Sequence, residues 1–232
     1  MARRSDGWIF LAVMILSAAI ACGGGEEGDD DDDGPAFDAD AFQTDVDNDY
    51  FPLIPSTDKT FEGTSGANGI EIRTSVLPDT ENVAGVECTV LQADRYVNEK
   101  RVEVSFHWFA QQIESGGVYQ FGRRAEQYEN GTSVGFEGTW KVGEDAAAPV
   151  LVFPGDPELN DIFYGVGTPP TSGENAKIVV TDGVYSTTVG DFTETIEVEE
   201  TGEETVTKIY APGEGLVGER YEDGGLALIT IQ

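Results

Sequence analysis

From residue 50 to the C-terminus, apolar and polar residues alternate in short runs. The segment RVEVSFHWF (101–109) places every second side chain, from Val102 to Trp108, on one apolar face. TETIEVEE (193–200) does the same with Ile196 and Val198, and TVTKIY and LALITI repeat the pattern. A period of two residues is typical of half-buried antiparallel strands.

Glycine-containing pairs separate these runs, and several of them are turn formers: Gly116-Gly117, Asn130-Gly131, Asp182-Gly183, Pro212-Gly213 and Gly224-Gly225. Asn-Gly and Asp-Gly favour tight hairpins, and Asp182-Gly183, between AKIVVT and VYSTTVG, is the clearest predicted hairpin. The prolines of AAAPVLVFPGDPELND predict an edge strand or a loop. No long amphipathic helix is evident. We therefore predict an all-β domain, with at most one short helix, formed by a single large twisted antiparallel sheet that curls into a barrel-like or sandwich form.

The N-terminus has the features of an export signal. Arg3 and Arg4 precede an apolar stretch of 14 residues, Trp8 to Ala21, which is shorter than the ~20 residues of a membrane span. It ends in Ala19-Ile20-Ala21-Cys22, which resembles a bacterial lipobox, in which a peptidase cuts before a cysteine that carries diacylglycerol. The sequence thus predicts a signal peptide over residues 1–21 and lipidation of Cys22, with the membrane reached through the lipid anchor.

The residues after Cys22 are almost entirely glycine and acid, GGGEEGDDDDDG over 23–34. Such a segment cannot bury apolar surface, so we predict a disordered acidic tether over residues 22–49 and a single β domain over 50–232. The acid run could instead bind calcium weakly or direct surface export. Asp45, Asp47 and Asp49 have the alternate spacing of a calcium loop but lack its glycine and distal glutamate, which leaves them as weak calcium candidates.

The charge balance excludes some partners. The net charge is −31, and removal of residues 1–21 leaves 11 basic and 43 acidic residues, a net of −32. Nucleic acid and anionic lipid surfaces should repel such a chain.

Candidate chemistry is sparse. Cys88, in VECTV, should be a buried inert thiol, and His107, the single histidine, alternates out of phase with Phe106 and Trp108, so it should lie on the polar outer face. Three motifs lack their structural context: GTSVG has no helix after it and no later histidine, GEGLVG lies too close to the C-terminus, and STDK follows a proline and runs into a strand. We therefore predict no catalytic residue, no metal cluster and no cofactor.

Six aromatic residues are more typical of core than of a ligand site: Trp108, Phe109, Tyr119, Phe121, Phe136 and Trp140. The sequence does not single out which residues would face a ligand.

Several motifs occur in an order that resembles a family of exported bacterial lipoproteins of unknown function. They are NDYFPLIP (48–55), GVECTV (85–90), HWFAQ (107–111), GGVYQFG (116–122), GTW (138–140) and KIYAPGEGLVGE (208–219). The resemblance implies an antiparallel β fold and an envelope location, and it implies no reaction.

These observations predict an exported protein, anchored by lipid at the bacterial outer membrane or cell surface, with a non-catalytic structural or interaction role toward an envelope protein. The alternative is a carrier for an apolar, lipid-like small molecule in the curved sheet, and a hydrolase is a third possibility. A continuous apolar cavity of several hundred Å³ would favour the carrier, and a filled core would exclude it. The oligomeric state is not indicated.

Replacement of Cys22 by serine tests the anchor. Cys22→Ser removes the thiol that would be acylated, so the protein should leave the membrane pellet and keep an unprocessed mass. Fractionation and intact-mass measurement of the full chain would check this, and recovery of the variant in the pellet with unchanged mass processing would contradict lipidation.

Overall fold

The computed structural model describes residues 37–146, 148–163, 175–202 and 205–232. The predicted signal peptide, Cys22 and the tether up to residue 36 lie outside these ranges. A single-turn 3-10 helix, Ala39–Ala41, precedes the sheet. The strands of the described residues are β1 (Phe42–Gln43), β2 (Asp58–Ser65), β3 (Asn68–Val76), β4 (Glu81–Val83), β5 (Val86–Val97), β6 (Lys100–Gln112), β7 (Val118–Glu129), β8 (Thr132–Gly135), β9 (Trp140–Lys141), β10 (Val150–Phe153), β11 (Ile162–Phe163), β12 (Asn175–Ser186), β13 (Asp191–Thr201), β14 (Thr205–Ala211), β15 (Gly215–Tyr221) and β16 (Gly224–Ile231).

All strand pairs are antiparallel, and the main path runs β10-β7-β6-β5-β3-β2-β16-β15-β14-β13-β12-β11. The two edge strands of this path, β10 and β11, are not hydrogen-bonded to each other in the described ranges. They meet through Phe153 and Phe163, whose rings lie 6.3 Å apart edge to face. The prediction of one large curled antiparallel sheet is confirmed, and the proline-flanked segment forms its edge strand β10.

Turn chemistry explains most hairpins. Asn130 and Gly131 have φ of 49° and 80°, the left-handed pair of a tight hairpin turn, and they join β7 to β8 as predicted. The predicted hairpin at Asp182-Gly183 is wrong, because β12 continues through it to Ser186 and turns back over residues 187–190. Gly183 lies at a β-bulge opposite Thr195, where an added Cβ would lie 2.5 Å from the Thr195 hydroxyl oxygen.

The sheet is covered on both faces around β5, β6 and β7. We call the side toward which Phe109 points the inner face, and there Leu53 and Tyr210 share a core with Phe109. The outer face carries a second core, which contains Cys88, Trp108, Phe121 and Trp140 and is covered by Phe37 and Phe42. Both faces of β5, β6 and β7 are therefore buried where these strands pass between the two cores.

Residues 37–49 pack on the sheet, so the folded domain begins earlier than the predicted boundary at residue 50. Phe42 pairs with Gln112 as part of β1, and Val46 is only 3% exposed. Composition does not reveal this earlier start, because the acidic side chains of the segment resemble those of a tether and its anchoring contacts are long-range.

A cluster of buried amide side chains holds this segment in place. The Gln111 side-chain oxygen accepts the backbone N–H groups of Asp47 and Asn48, both at 2.9 Å. The Asn48 amide donates to the carbonyls of Gly116 (3.2 Å) and Pro154 (3.1 Å). The Asn48 oxygen accepts the N–H groups of residues 50 and 51, so one buried side chain ties three parts of the chain together.

The variant Asn48→Asp tests this cluster without changing its shape. A carboxylate cannot donate, and its charge would face two carbonyl oxygens, so the free energy of unfolding should fall by about 2–4 kcal/mol. Denaturant unfolding would measure it. Asn68→Asp is the matched control, because exposed Asn68 only accepts a hydrogen bond, from Asn98, and its stability should change by less than ~0.5 kcal/mol. Equal effects of the two variants would contradict the role of Asn48.

Candidate functional site

An open cleft of about 770 Å³ lies on the inner face of the sheet. Strands β2, β3, β5 and β6 form one wall, and β14, β15 and β16 contribute to the other. This volume is in the range of small-molecule sites, about 300–1,000 Å³.

Small side chains create this space. Thr74, Ala93 and Ser105 face inward from three neighbouring strands and pair directly in register, Thr74 with Ala93 and Ala93 with Ser105. Lys59 extends the row on β2, opposite Thr74. We call these four residues the small-residue row. Three of them have small side chains, which leave space above the sheet, and Lys59 lies at one end. Because inward positions recur every second residue, larger side chains flank the row on both sides.

One end of the cleft is apolar. Phe51 and Leu53, from the segment held by Asn48, stand against Phe109 and Tyr210. The Phe51 ring centroid lies 5.4 Å from that of Phe109 and 6.1 Å from that of Tyr210. Leu216 completes this apolar end wall.

The other end is charged. Arg123 pairs with Glu103 at 2.6 Å, and Lys208 pairs with Glu200 at 2.8 Å. Desolvation acts to lower the pKa of Lys208, but Glu200 and other nearby acidic groups outweigh it, so the net pKa is raised and the ammonium stays charged. Arg95 is exposed at this end.

His107 sits between the two ends and is held in one tautomer. The Gln120 amide nitrogen donates to Gly122 O at 3.0 Å, which orients the amide so that the same nitrogen also donates to His107 Nδ1, again at 3.0 Å. The proton therefore resides on Nε2, which donates to Ser105 Oγ at 3.0 Å. Burial, helped by nearby Arg123 and Lys208, lowers the pKa of His107 to about 3.

The contact between Ser105 and His107 does not have the form of an activated nucleophile. A general base must accept the serine proton, whereas the His107 nitrogen next to Ser105 already carries one. An imidazole with a pKa near 3 is also a weak base at neutral pH. The arrangement suits a neutral polar surface inside the cleft.

The structure corrects the predicted position of His107. It lies on the inner face, beside the cleft, and its ring stacks on Phe109 at 6.0 Å. Alternation correctly separated His107 from Phe106 and Trp108, but those two belong to the covered outer core. The face of β6 that carries His107 therefore borders the cleft rather than open solvent.

The other candidate residues are distributed as follows. Among the described residues, no group of three or more His, Cys, Asp or Glu side chains could hold a metal, and Asp47, one of the three calcium candidates Asp45, Asp47 and Asp49, accepts a hydrogen bond from the Gln111 amide at 2.7 Å. Cys88 is buried as predicted, and burial raises the pKa of its thiol to about 12. Of the six aromatic residues, Phe109 alone lines the cleft. Cys22 lies outside the described residues.

Sequence reasoning missed the cations of the cleft. Lys59, Arg95, Arg123 and Lys208 all line it. Lys208 shares its strand face with Val206 and Tyr210 in TVTKIY. A charged residue among the apolar positions of a strand could have indicated a polar group that faces a cavity.

Comparison with known proteins gives little. No family model matches the chain, and no curated protein matches it. A crystal structure of a "putative lipoprotein" from Parabacteroides distasonis aligns with 82% of this chain and 100% of its own, at 12% sequence identity and a TM-score of 0.39. In the described ranges no helix is long and apolar enough to cross a membrane.

The pKa of His107 predicts a pH dependence of stability. Between pH 6.5 and about 3 the unfolded chain binds a proton at this imidazole and the folded chain does not, so the free energy of unfolding falls as pH falls. From pH 6.5 to pH 5 the loss attributable to His107 should be about 1.5 kcal/mol relative to His107→Gln. Denaturant unfolding of both proteins would measure the difference. Because the chain has one histidine, its imidazole NMR signal is unambiguous, and titration of that signal near pH 6.5 would contradict the buried neutral state.

Proposed function

We propose that the domain is a non-catalytic binding protein for an elongated apolar molecule and that it works at a bacterial membrane surface through a lipid on Cys22. The observation that carries the proposal is the open cleft of about 770 Å³ with its apolar end wall. Of the three hypotheses offered by the sequence, this supports the carrier over a purely structural role.

The packing of the inner face is the first support. Protein interiors are close-packed, and side chains that border a void lose dispersion contacts on that side. The row of Thr74, Ala93 and Ser105 leaves space where larger apolar residues would have filled the core. A bound apolar chain would restore those contacts, and each methylene removed from water would contribute about 0.8 kcal/mol.

The chemistry of the polar side chains is the second support. Neutral His107 donates to Ser105 and is fixed by Gln120, and the cations of the two half-buried ion pairs at the charged end already have carboxylate partners. Such groups orient a ligand without reacting with it. A hydrolase, the third possibility, would need the opposite tautomer of His107.

The proposed location follows from the sequence. A lipid on Cys22 and a tether before residue 37 would hold the cleft close to a membrane, where apolar ligands partition. We place the protein at the outer membrane or cell surface on this basis.

Filling the cleft tests the proposal. Ala93→Trp puts an indole on the cleft floor and should weaken binding of a neutral polarity-sensitive fluorescent probe at least tenfold. Ala227→Trp is the matched control: Ala227, between Leu226 and Leu228 on β16, is not among the residues that line the cleft, so probe binding should match the unsubstituted chain. Native mass spectrometry of the detergent-extracted full chain should show a bound lipid-like mass that Ala93→Trp lacks. Absence of probe binding and of any co-purified ligand in the unsubstituted protein would overturn the proposed function.

A further inference from the structure

Lys59 places an ammonium group inside the cleft with little to neutralise it. Its Nζ donates to the backbone carbonyl oxygen of Glu214, and within the described residues no carboxylate lies within ion-pair distance of it. Burial lowers the pKa of Lys59, against an opposing effect of the Glu214 charge. An ammonium has three donors, so two of them remain for another acceptor.

The other cations of the cleft differ from Lys59. Arg123 and Lys208 are held by Glu103 and Glu200, and Arg95 is exposed to solvent. Among the described cations that line the cleft, Lys59 is thus the half-buried one whose donors are not held by a carboxylate. A partly desolvated charge without a counter-ion is costly, and an anion placed beside it recovers part of that cost.

Space is kept open beside this ammonium. Gly215 has a φ of 76°, and an added Cβ would lie 3.3 Å from Pro52 and 3.8 Å from Lys59 Nζ. A side chain at this position would therefore be strained and would crowd the group, whereas glycine leaves room for a ligand atom.

Charge is also distributed unevenly between the cleft and the rest of the surface. In the described ranges the chain has 11 lysine and arginine residues, and four of them line the cleft. Of the 33 aspartate and glutamate residues in the same ranges, three line it: Glu103, Glu214 and Glu219. In this acidic protein, the lining of the cleft therefore repels an anion less than the described surface as a whole does.

The small-residue row gives the ligand its direction. The row starts at Lys59 and crosses β3 and β5 to Ser105 on β6. Three strand spacings of about 4.8 Å make this path ~14 Å long. Phe61, Ile72, Val76, Leu91 and Phe109 flank it with apolar surface.

We propose that the cleft binds an anionic amphiphile whose acidic head group pairs with Lys59 while its hydrocarbon chain lies along the small-residue row. This assignment rests on the proposed function and specifies its ligand class: a single-chain molecule with a carboxylate or phosphate head.

Matched ligands separate the head group from the chain. Dodecanoate and 1-dodecanol, used below their aggregation concentrations, would compete against a neutral fluorescent probe on the full chain. The unsubstituted protein should bind dodecanoate at least tenfold more tightly than dodecanol. Lys59→Met should abolish this preference and keep dodecanol binding, whereas Lys59→Arg, which retains the charge, should keep a preference for dodecanoate. Lys100→Met, at an exposed lysine outside the cleft, should behave like the unsubstituted protein.

The outcomes distinguish the two proposals. Equal binding of dodecanoate and dodecanol by the unsubstituted protein, or a preference that survives in Lys59→Met, overturns the head-group assignment and leaves the proposed function standing. Failure of both ligands and the probe to bind overturns the proposed function itself. Inorganic phosphate should not displace the probe at millimolar concentration, and if it does, the site takes a free anion and the amphiphile assignment is wrong.

Discussion

The hydrogen bonds between Asn48, Gln111 and their backbone partners are the constraint on which the cleft depends. They fix a segment with little secondary structure of its own against the turn between β6 and β7 and against the edge strand β10. Because buried amides must find partners, each satisfied bond also excludes alternative positions of the segment. Phe51 and Leu53 therefore stand where they close one end of the inner face.

The inner face combines two kinds of surface that usually compete. The apolar wall around Phe109 and Tyr210 is packed like an ordinary core, while His107, Ser105 and Gln120 form a chain of neutral hydrogen bonds a few residues away. The apolar wall and the polar hydrogen bonds can share one face, because every second residue of each strand points inward and neighbouring strands place polar and apolar residues side by side. The small side chains of Thr74, Ala93 and Ser105 then decide that the space between the two surfaces stays open.

Local patterns in the sequence predicted the fold well, because period-two alternation and turn residues act over a few positions. The Asn130-Gly131 hairpin formed as expected, since left-handed backbone at two consecutive residues specifies a turn. Asp182-Gly183 looked similar but became a bulge, because β13 supplies Thr195 to pack against the glycine. Asn48 is held by Gln111, which lies 63 residues away in the chain and which no local pattern contains. The cleft-facing position of His107 was missed for the same reason: alternation gives two faces, and only the three-dimensional curl decides which face is solvent and which is a cavity.

The contact between Phe153 and Phe163 brings together the two edges of the sheet, and these edges bear on aggregation between copies of the protein. A sheet whose end strands are not hydrogen-bonded to each other has two edges. Each edge offers free backbone N–H and C=O groups with which a strand of another chain can pair. Here the two terminal strands lie side by side, each only a few residues long, and prolines at 149 and 154 flank β10 with positions that have no N–H to offer. The edge at β10 is therefore short and poor in free N–H groups. Copies held at high local concentration would meet edge to edge most often, so a short, proline-flanked end strand at β10 limits the backbone groups on which a second copy could pair.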